Sequence, residues 1–298
     1  MPRLYVVATP IGNLGDLSPR AQETLRSAAL IAAEDTRVTG QLLAKFDIHT
    51  PCVSNHRHNE EGRAAPLVQR MLTENIDVAL VTDAGTPAIS DPGSFLVAEA
   101  AAAGIEVLAV PGPTAMASAL SVSGFDTREF AFYGFLPRKR GDLKKKLLDI
   151  AASGVPIAVV HESPHRVIDL MEAVCEALPG CRVSASCDLT KLYEKTVRGS
   201  CEDVLAALRD NEKTDKGEYC LVLDLHDVTP PERTQQAGDA EDAPLRLLAF
   251  MLDGHTLEEA SAALAEAGTK RNVIYRARER VRGFLMEQFD AMAEEDEG

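Results

Sequence analysis

Residues able to do acid–base or ion-holding chemistry fall at three places in the chain. Asp83 and Asp91 sit in the run DVALVTDAGTPAISDPG, residues 77–93. Asp35 and Arg37 sit in Glu34-Asp35-Thr36-Arg37, and Glu162 and Arg166 in His161-Glu162-Ser163-Pro164-His165-Arg166. A carboxylate can accept a proton or face a cation, and a guanidinium can hold a phosphate. Each group also has a plainer use. Asp35 can cap the helix that follows, Glu162 and Arg166 can simply pair, and the two aspartates of 82–93 can cap turns. A fourth group, His56-Arg57-His58-Asn59, has two histidines but no third ligand at a diagnostic spacing. It reads as a polar binding loop rather than a metal site. The cysteines at 52, 175, 181, 187, 201 and 220 include no C-x-x-C pair. They read as buried free thiols of a reducing cytosol, and no metal is expected.

The elements around these residues set where they can meet. Val78–Val81 is an apolar run of strand length, and Gly85 and Pro87 stop it. A polar loop follows over 82–93, longer than a simple strand-to-helix connection, and then a helix over 94–103. Further strands are predicted at 4–8, 30–33, 52–55 and 107–110. Helices are predicted after Ser18-Pro19 and over 39–46, 63–75 and 115–122. Five strands alternating with helices predict a doubly wound parallel sheet. Loops 9–16, 82–93 and 111–115 would then gather at the rim where such sheets bind ligands. None has the G-x-G-x-x-G fingerprint followed by an acid, and no P-loop occurs, so a nicotinamide dinucleotide is poorly supported.

A second α/β layer is predicted over 125–227, giving a first domain of 1–124. Its strands are placed at 130–135, 156–160, 182–186 and 218–225, with helices over 167–178 and 201–208. Residues 228–244 read as a polar linker. The tail, 245–298, reads as helical. Thr256 and Glu259 form a capping box, and Gly268 ends the first helix. A second helix over 270–289 has Val273, Ala277, Val281 and Phe284 as its apolar stripe.

A chain of 298 residues with 45% apolar side chains can build normal cores in two domains. No apolar run reaches membrane-spanning length and the start has no signal-peptide layout, so a cytoplasmic protein is expected. A net charge of −15 weighs against generic nucleic-acid binding. Two basic clusters stand against that background. One is 138–146, with six cations in nine residues. The other is Lys270, Arg271, Arg276, Arg278, Arg280 and Arg282 of the tail. The first reads as a phosphate contact or a solvated helix start. The tail, a helix-turn-helix-like module, reads as an RNA-contacting appendage or a dimerisation element.

Six ordered motifs carry a resemblance over about residues 3–226: TPIGNLGDLS (9–18), AAEDTR (32–37), TDAGTPAISDPG (82–93), VPGPTA (110–115), FYGFLPRK (132–139) and HESPHR (161–166). The chain resembles the tetrapyrrole-methylase-like, class III S-adenosylmethionine methyltransferases. More narrowly, it resembles the branch that methylates the ribose 2′-OH of a cytidine in the decoding centre of small-subunit ribosomal RNA. The first loop is not Gly-rich and Gly85-Thr86-Pro87 replaces the G-D-P of the small-molecule members. Both departures agree with the ribosomal branch.

The resemblance implies two α/β domains with the donor folded into the cleft between them, plus the small helical module. It implies S-adenosylmethionine held by Pro10, Asp83, Gly85, Thr86, Ile89, Thr114 and Ala115, with Asp83 or Asp91 receiving the donor's ammonium. It implies 16S ribosomal RNA in the small ribosomal subunit as partner, and a homodimer. Asp35, Asp83, Asp91 and Glu162 are then the candidate general bases. Arg37, Lys139 and Arg166 are candidates to hold flanking phosphates, and Asn13 to orient the ribose. Two rivals remain: a methyltransferase of the same fold acting on a tetrapyrrole or a translation factor, and a non-catalytic ribosome-assembly factor.

Overall fold

The computed structural model describes residues 1–57, 59–229 and 235–295. Two compact units divide the chain, Met1–Pro230 and Pro231–Gly298.

The first unit opens with β1 (Arg3–Val7), α1 (Pro19–Ser27), β2 (Leu30–Ala33), α2 (Thr36–Lys45) and β3 (Cys52–Ser54). It continues with α3 (Glu60–Glu74), β4 (Val78–Val81), α4 (Ser94–Ala102), β5 (Glu106–Val110) and α5 (Ala115–Ser123). These strands form one sheet in the order β3-β2-β4-β1-β5, and every pair is parallel. The predicted parallel sheet is therefore present. Its central strands are apolar at consecutive positions because both faces are covered. Ile31, Ala33, Ala79 and Val81 pack with Ala21, Leu25 and Leu43. The alternate residues Leu30, Ala32, Val78 and Leu80 pack with Val68, Met71, Leu96 and Ala100 of the opposite layer. Two helices start earlier than periodicity alone placed them. α2 begins at Thr36 because Asp35 caps it, and α3 begins at Glu60, whose side chain is buried against the 82–93 loop.

A second sheet follows in the same unit. Its elements are β6 (Ala131–Phe135), α6 (Arg140–Ala152), β7 (Ile157–Glu162), α7 (Val167–Ala177), β8 (Arg182–Cys187), β9 (Lys195–Ser200), α8 (Cys201–Arg209) and β10 (Tyr219–Asp224). The order is β6-β7-β10-β8-β9, with only β6–β7 parallel. Helices α6–α8 cover one face through Leu147, Met171 and Val204, which meet Val160, Leu221 and Leu223. The other face is covered by α5, the last helix of the first sheet's run. Ala119 and Leu120 pack there on Ile157, Val159 and Val222, with Ile11 and Phe132 at the edge. Arg198 of β9 donates to the carbonyl of Val122, near the end of α5. Helix α5 thus belongs to one sheet by sequence and to the other by packing.

The second unit holds α9 (Gln235–Leu252), α10 (Leu257–Glu266) and α11 (Arg271–Glu295). The stretch read as a linker over 228–244 is helical from Gln235 onward. Ala243, beside Pro244, and Leu247 are buried in the unit's own core, which recruits this end of the stretch into the helix. The capping box of Thr256 and Glu259 is formed as expected. The predicted stripe of α11 holds at Ala277 and Val281, with Val273 partly buried on the same core, and fails at Phe284. Ile274, Ala277 and Val281 are buried, whereas Phe284 is half exposed. Among the described residues no helix is long and apolar enough to cross a membrane.

Candidate active site

The three loops that leave β1, β4 and β5 meet, as the parallel order β4-β1-β5 requires. Thr9 and Gly85 bridge the first two with paired backbone hydrogen bonds of 2.9 and 3.0 Å. The buried Thr9 hydroxyl donates to the carbonyl of Thr82 at 3.1 Å, and Thr86 donates to the carbonyl of Pro113 at 3.4 Å. A Cβ at Gly85 would lie 3.5 Å from Ile11 and 3.9 Å from the carbonyl of Pro113, so all three loops face this residue. Gly85 also has φ +84°, which L side chains rarely adopt. Pro10, Gly85, Thr86, Thr114 and Ala115 are thereby brought to one place. Ile89 stands half exposed farther along the second loop. The second sheet borders the same rim: Gly134 of β6 lies against the Ser90 side chain, and Lys191 of the β8–β9 loop against Gly12.

Four carboxylates cluster beside the loops. The Glu34 carboxylate accepts from the Thr82 hydroxyl at 2.5 Å and from the Asp83 backbone N–H at 3.4 Å. Asp83 in turn accepts from the Asp35 backbone N–H at 3.1 Å. Burial, and then the Glu34 charge, push the carboxyls of Asp83 and Asp91 above the usual carboxylate range. The charge of Arg57 pulls Asp91 partly back. Asp35 is held in the opposite direction. Its carboxylate accepts from the Arg37 guanidinium at 2.6 and 3.1 Å and from the Arg37 N–H at 2.8 Å, which holds it well below the usual range. Asp35 is the cap of α2.

Glu162 and Arg166 form a pair of a different kind. Glu162 is 2% exposed and lies 3.3 Å from the Arg166 guanidinium. It also accepts from the Ser163 N–H at 2.8 Å, while Arg166 donates to the carbonyl of Pro137. These partners all belong to the second sheet's layer. Asn13 is occupied as well, capping its own turn by accepting from the Gly15 N–H at 2.9 Å. In the 138–146 cluster, Arg140 pairs with Glu172 and Glu176, Lys144 pairs with Glu176, and Lys146 lies over the Tyr133 ring. Arg138, Lys139 and Lys145 stay exposed with no ion-pair partner among the described residues.

Sequence reasoning passed over Glu34 and Glu60. Glu34 ends β2 as Thr82-Asp83 ends β4, and adjacent parallel strands place the two ends side by side. Glu60 is buried and accepts from the Gly93 N–H at 2.6 Å, tying the far end of the 82–93 loop to α3. Arg57 supports the same loop by donating to the carbonyl of Ser90 at 2.7 Å. His58 of the His56–Asn59 group lies outside the described residues. The cysteines are less scattered than their positions suggest: ligand atoms of Cys175, Cys201 and Glu202 lie within 4.8 Å of one another. Burial raises both thiols, which keeps them protonated.

The family description Tetrapyrrole (Corrin/Porphyrin) Methylases matches residues 3–205. The chain belongs to this methylase family. Within it, the chain is 44% identical over 264 residues to the Ribosomal RNA small subunit methyltransferase I of Synechocystis sp., covering 88% of this chain and 92% of that protein. It is 40% identical over 280 residues to the Vibrio cholerae protein of the same name, covering 92% and 93%. Its fold is similar to the crystal structure of the methyltransferase CobJ, with a TM-score of 0.55 and 18% identity over 76% of this chain and 95% of that one. The methylase rim suits S-adenosylmethionine, the donor of this family. The carboxyls of Asp91, partly buried, and Asp83, exposed, are both raised, and a cationic ligand relieves the desolvation and the repulsion from Glu34. Ile11 and the half-exposed Ile89 add apolar surface to the rim.

Proposed function

We propose that this methylase transfers a methyl group from S-adenosylmethionine to ribosomal RNA, at the ribose 2′-OH of a cytidine in the decoding centre of the 16S RNA. The carboxylate cluster of Glu34, Asp83 and Asp91 on the family's donor rim carries the reading, together with the name shared by relatives matched over nine-tenths of the chain. The donor, when bound, supplies an electrophilic methyl on a sulfonium. The protein's task is then alignment and proton removal. Holding the hydroxyl in line with the methyl contributes about 7–11 kcal/mol. A positioned base adds roughly 10²–10⁴-fold.

Asp83 is the proposed base. It is the more exposed aspartate of the rim, and its raised pKa strengthens it as an acceptor. Asp91, deeper in the loop, is assigned to the donor's ammonium group. Pro10, Gly85, Thr86, Ile89, Thr114 and Ala115 hold the rest of the donor. Asp35 and Glu162 are assigned positioning work, because their oxygens already serve Arg37, Arg166 and Ser163. Arg37 and Lys139, both exposed, are the phosphate contacts; Arg166 is mostly buried.

Residues 1–124 and 125–227 act as the two walls of the donor cleft. The exposed Arg271, Arg276 and Arg280 of α11 contact RNA phosphates. The enzyme works in the cytoplasm as a homodimer. Radiolabelled donor incubated with unmethylated small subunits tests the reading. Label recovered as 2′-O-methylcytidine is expected. Label on a protein or a tetrapyrrole would replace it with the rival substrates, and donor binding without transfer would leave an assembly factor.

A further inference from the structure

The loop between β8 and β9, residues 188–194, is unusually well braced for a surface turn. Asp188 and Thr190 both adopt the left-handed backbone region, with φ of +51° and +68°, which is costly for a β-branched residue. Lys191 spans Asp188 at 2.9 Å and Glu218 at 2.8 Å. Glu194 accepts from the Thr190 N–H at 2.6 Å. Leu189 is buried against the face that carries α5. Yet the tip of this braced loop points two large side chains outward: Leu192 is 88% exposed and Tyr193 is 75% exposed. Fixing an aromatic and an aliphatic side chain in water has no folding benefit, and such exposure marks interaction sites.

A groove of about 600 Å³ lies behind the tip. Its floor is apolar, made by Ala185, Val197, Leu208 and Tyr219. Its rim carries Lys195, Lys213 and Lys216. Of the two acids at the rim, Asp188 is paired with Lys191, while Glu194 accepts the Thr190 N–H and keeps its charge, so the three lysines outnumber the free acid. The three lysines have no ion-pair partner among the described residues, and Lys213 sits over the Tyr193 ring at 5.2 Å. The groove therefore presents local positive charge on a chain of net charge −15. The loop that bounds the groove also touches the donor rim, since Lys191 lies against Gly12 of the first loop, so closely that a Cβ there would fall 2.4 Å from it.

We propose that this loop and groove form a subsite for an unpaired stretch of the RNA substrate, with one nucleobase stacked on Tyr193 and neighbouring phosphates on Lys195, Lys213 and Lys216. An exposed ring flanked by unpaired lysines is the chemistry that single-stranded nucleic acid recognises, because every base has a π-face. The subsite rests on the ribosomal RNA reading above and adds to it where the strand runs beside the methyl-transfer centre.

Steady-state methylation of small subunits by the full-length protein tests it. Tyr193→Ala is expected to raise KM for subunits at least about fivefold, the low end for losing one stacked base. Turnover at saturating subunits and donor affinity are expected to stay unchanged. Tyr193→Phe, which keeps the ring, is expected to behave as wild type. Lys213→Glu with Lys216→Glu is expected to flatten the dependence of log affinity on log salt by about 0.7 per lost phosphate contact. An unchanged KM in Tyr193→Ala, or a loss in Tyr193→Phe equal to that in Tyr193→Ala, would overturn the stacked base while leaving the methyltransferase reading intact. Failure of the wild type to label RNA at all would overturn both.

Discussion

Two acidic sites in one compact unit contrast sharply. At the rim of the parallel sheet, burial and neighbouring carboxylates raise Asp83 and Asp91, and the charges of Arg37 and Arg57 offset this only in part. In the mixed sheet, Glu162 is more deeply buried but has Arg166 at 3.3 Å and two hydrogen bonds from Ser163. Depth alone does not make a carboxylate reactive. The rim site is crowded by like charge, so it gains from a cationic ligand; the Glu162 site has its counter-charge built in, although its Oε2 has the Arg166 ion pair and no hydrogen bond. Chemistry gathers where the protein leaves a charge unfinished.

Breaking this contrast gives the largest effect at the rim. Asp83→Asn is expected to lower turnover by about 10²-fold or more while donor affinity, read by calorimetry, changes little. Equal losses in both would make Asp83 a donor ligand rather than a base. In the wild type, the base must be ionised, so activity should rise with pH through a midpoint above the usual carboxylate range. Removing the neighbouring charge with Glu34→Gln should move that midpoint to lower pH. A pH–rate profile that stays in place would dissociate Glu34 from the titration.

Glu162→Gln probes the other side of the comparison. It leaves Arg166 without its counter-charge and is expected to cost about 3 kcal/mol or less, because Arg166 keeps some solvent access. Chemical denaturation reads this loss, and turnover per folded molecule should hold. A large drop in turnover without a loss of stability would move Glu162 into the reaction.

The stability consequences also differ in sign. A carboxyl whose folded pKa is raised favours the folded state when protonated. Its contribution is complete below the unfolded pKa and is lost as pH rises through the folded pKa. At neutral pH the ionised Asp91 therefore opposes folding, and Asp91→Asn should raise Tm at pH 7 while weakening donor binding. Asp35 behaves oppositely, since Arg37 lowers its pKa, and its contribution fades only as acid protonates it. A lower Tm for Asp91→Asn at pH 7 would contradict this assignment.

Much of the first sheet was legible because parallel strands buried on both faces read as continuous apolar runs, as in Leu30–Ala33 and Val78–Val81. The caps at Ser18 and Thr256 were legible because capping is local. What depends on distant pairing was not. The acid cluster needs β2 beside β4, which brings Glu34 to Thr82 across 48 positions, and no local pattern reveals that. The 138–146 cluster looked like free positive charge because Glu172 and Glu176, which neutralise part of it, come from the next helix. The stripe of α11 was read correctly at Ala277 and Val281 and failed only at Phe284, which lies half exposed while Ile274 joins the core. The smallest expected effect belongs to the local layer: Ser18→Ala should cost about 1 kcal/mol, seen as a modest fall in Tm with activity kept.

The most direct measurement maps ribose methylation in small-subunit RNA before and after incubation with the purified protein and S-adenosylmethionine. A single new 2′-O-methylcytidine in the decoding centre, absent with Asp83→Asn, is the expected result. RNA left unmodified, or modified on a base instead of a ribose, would contradict it.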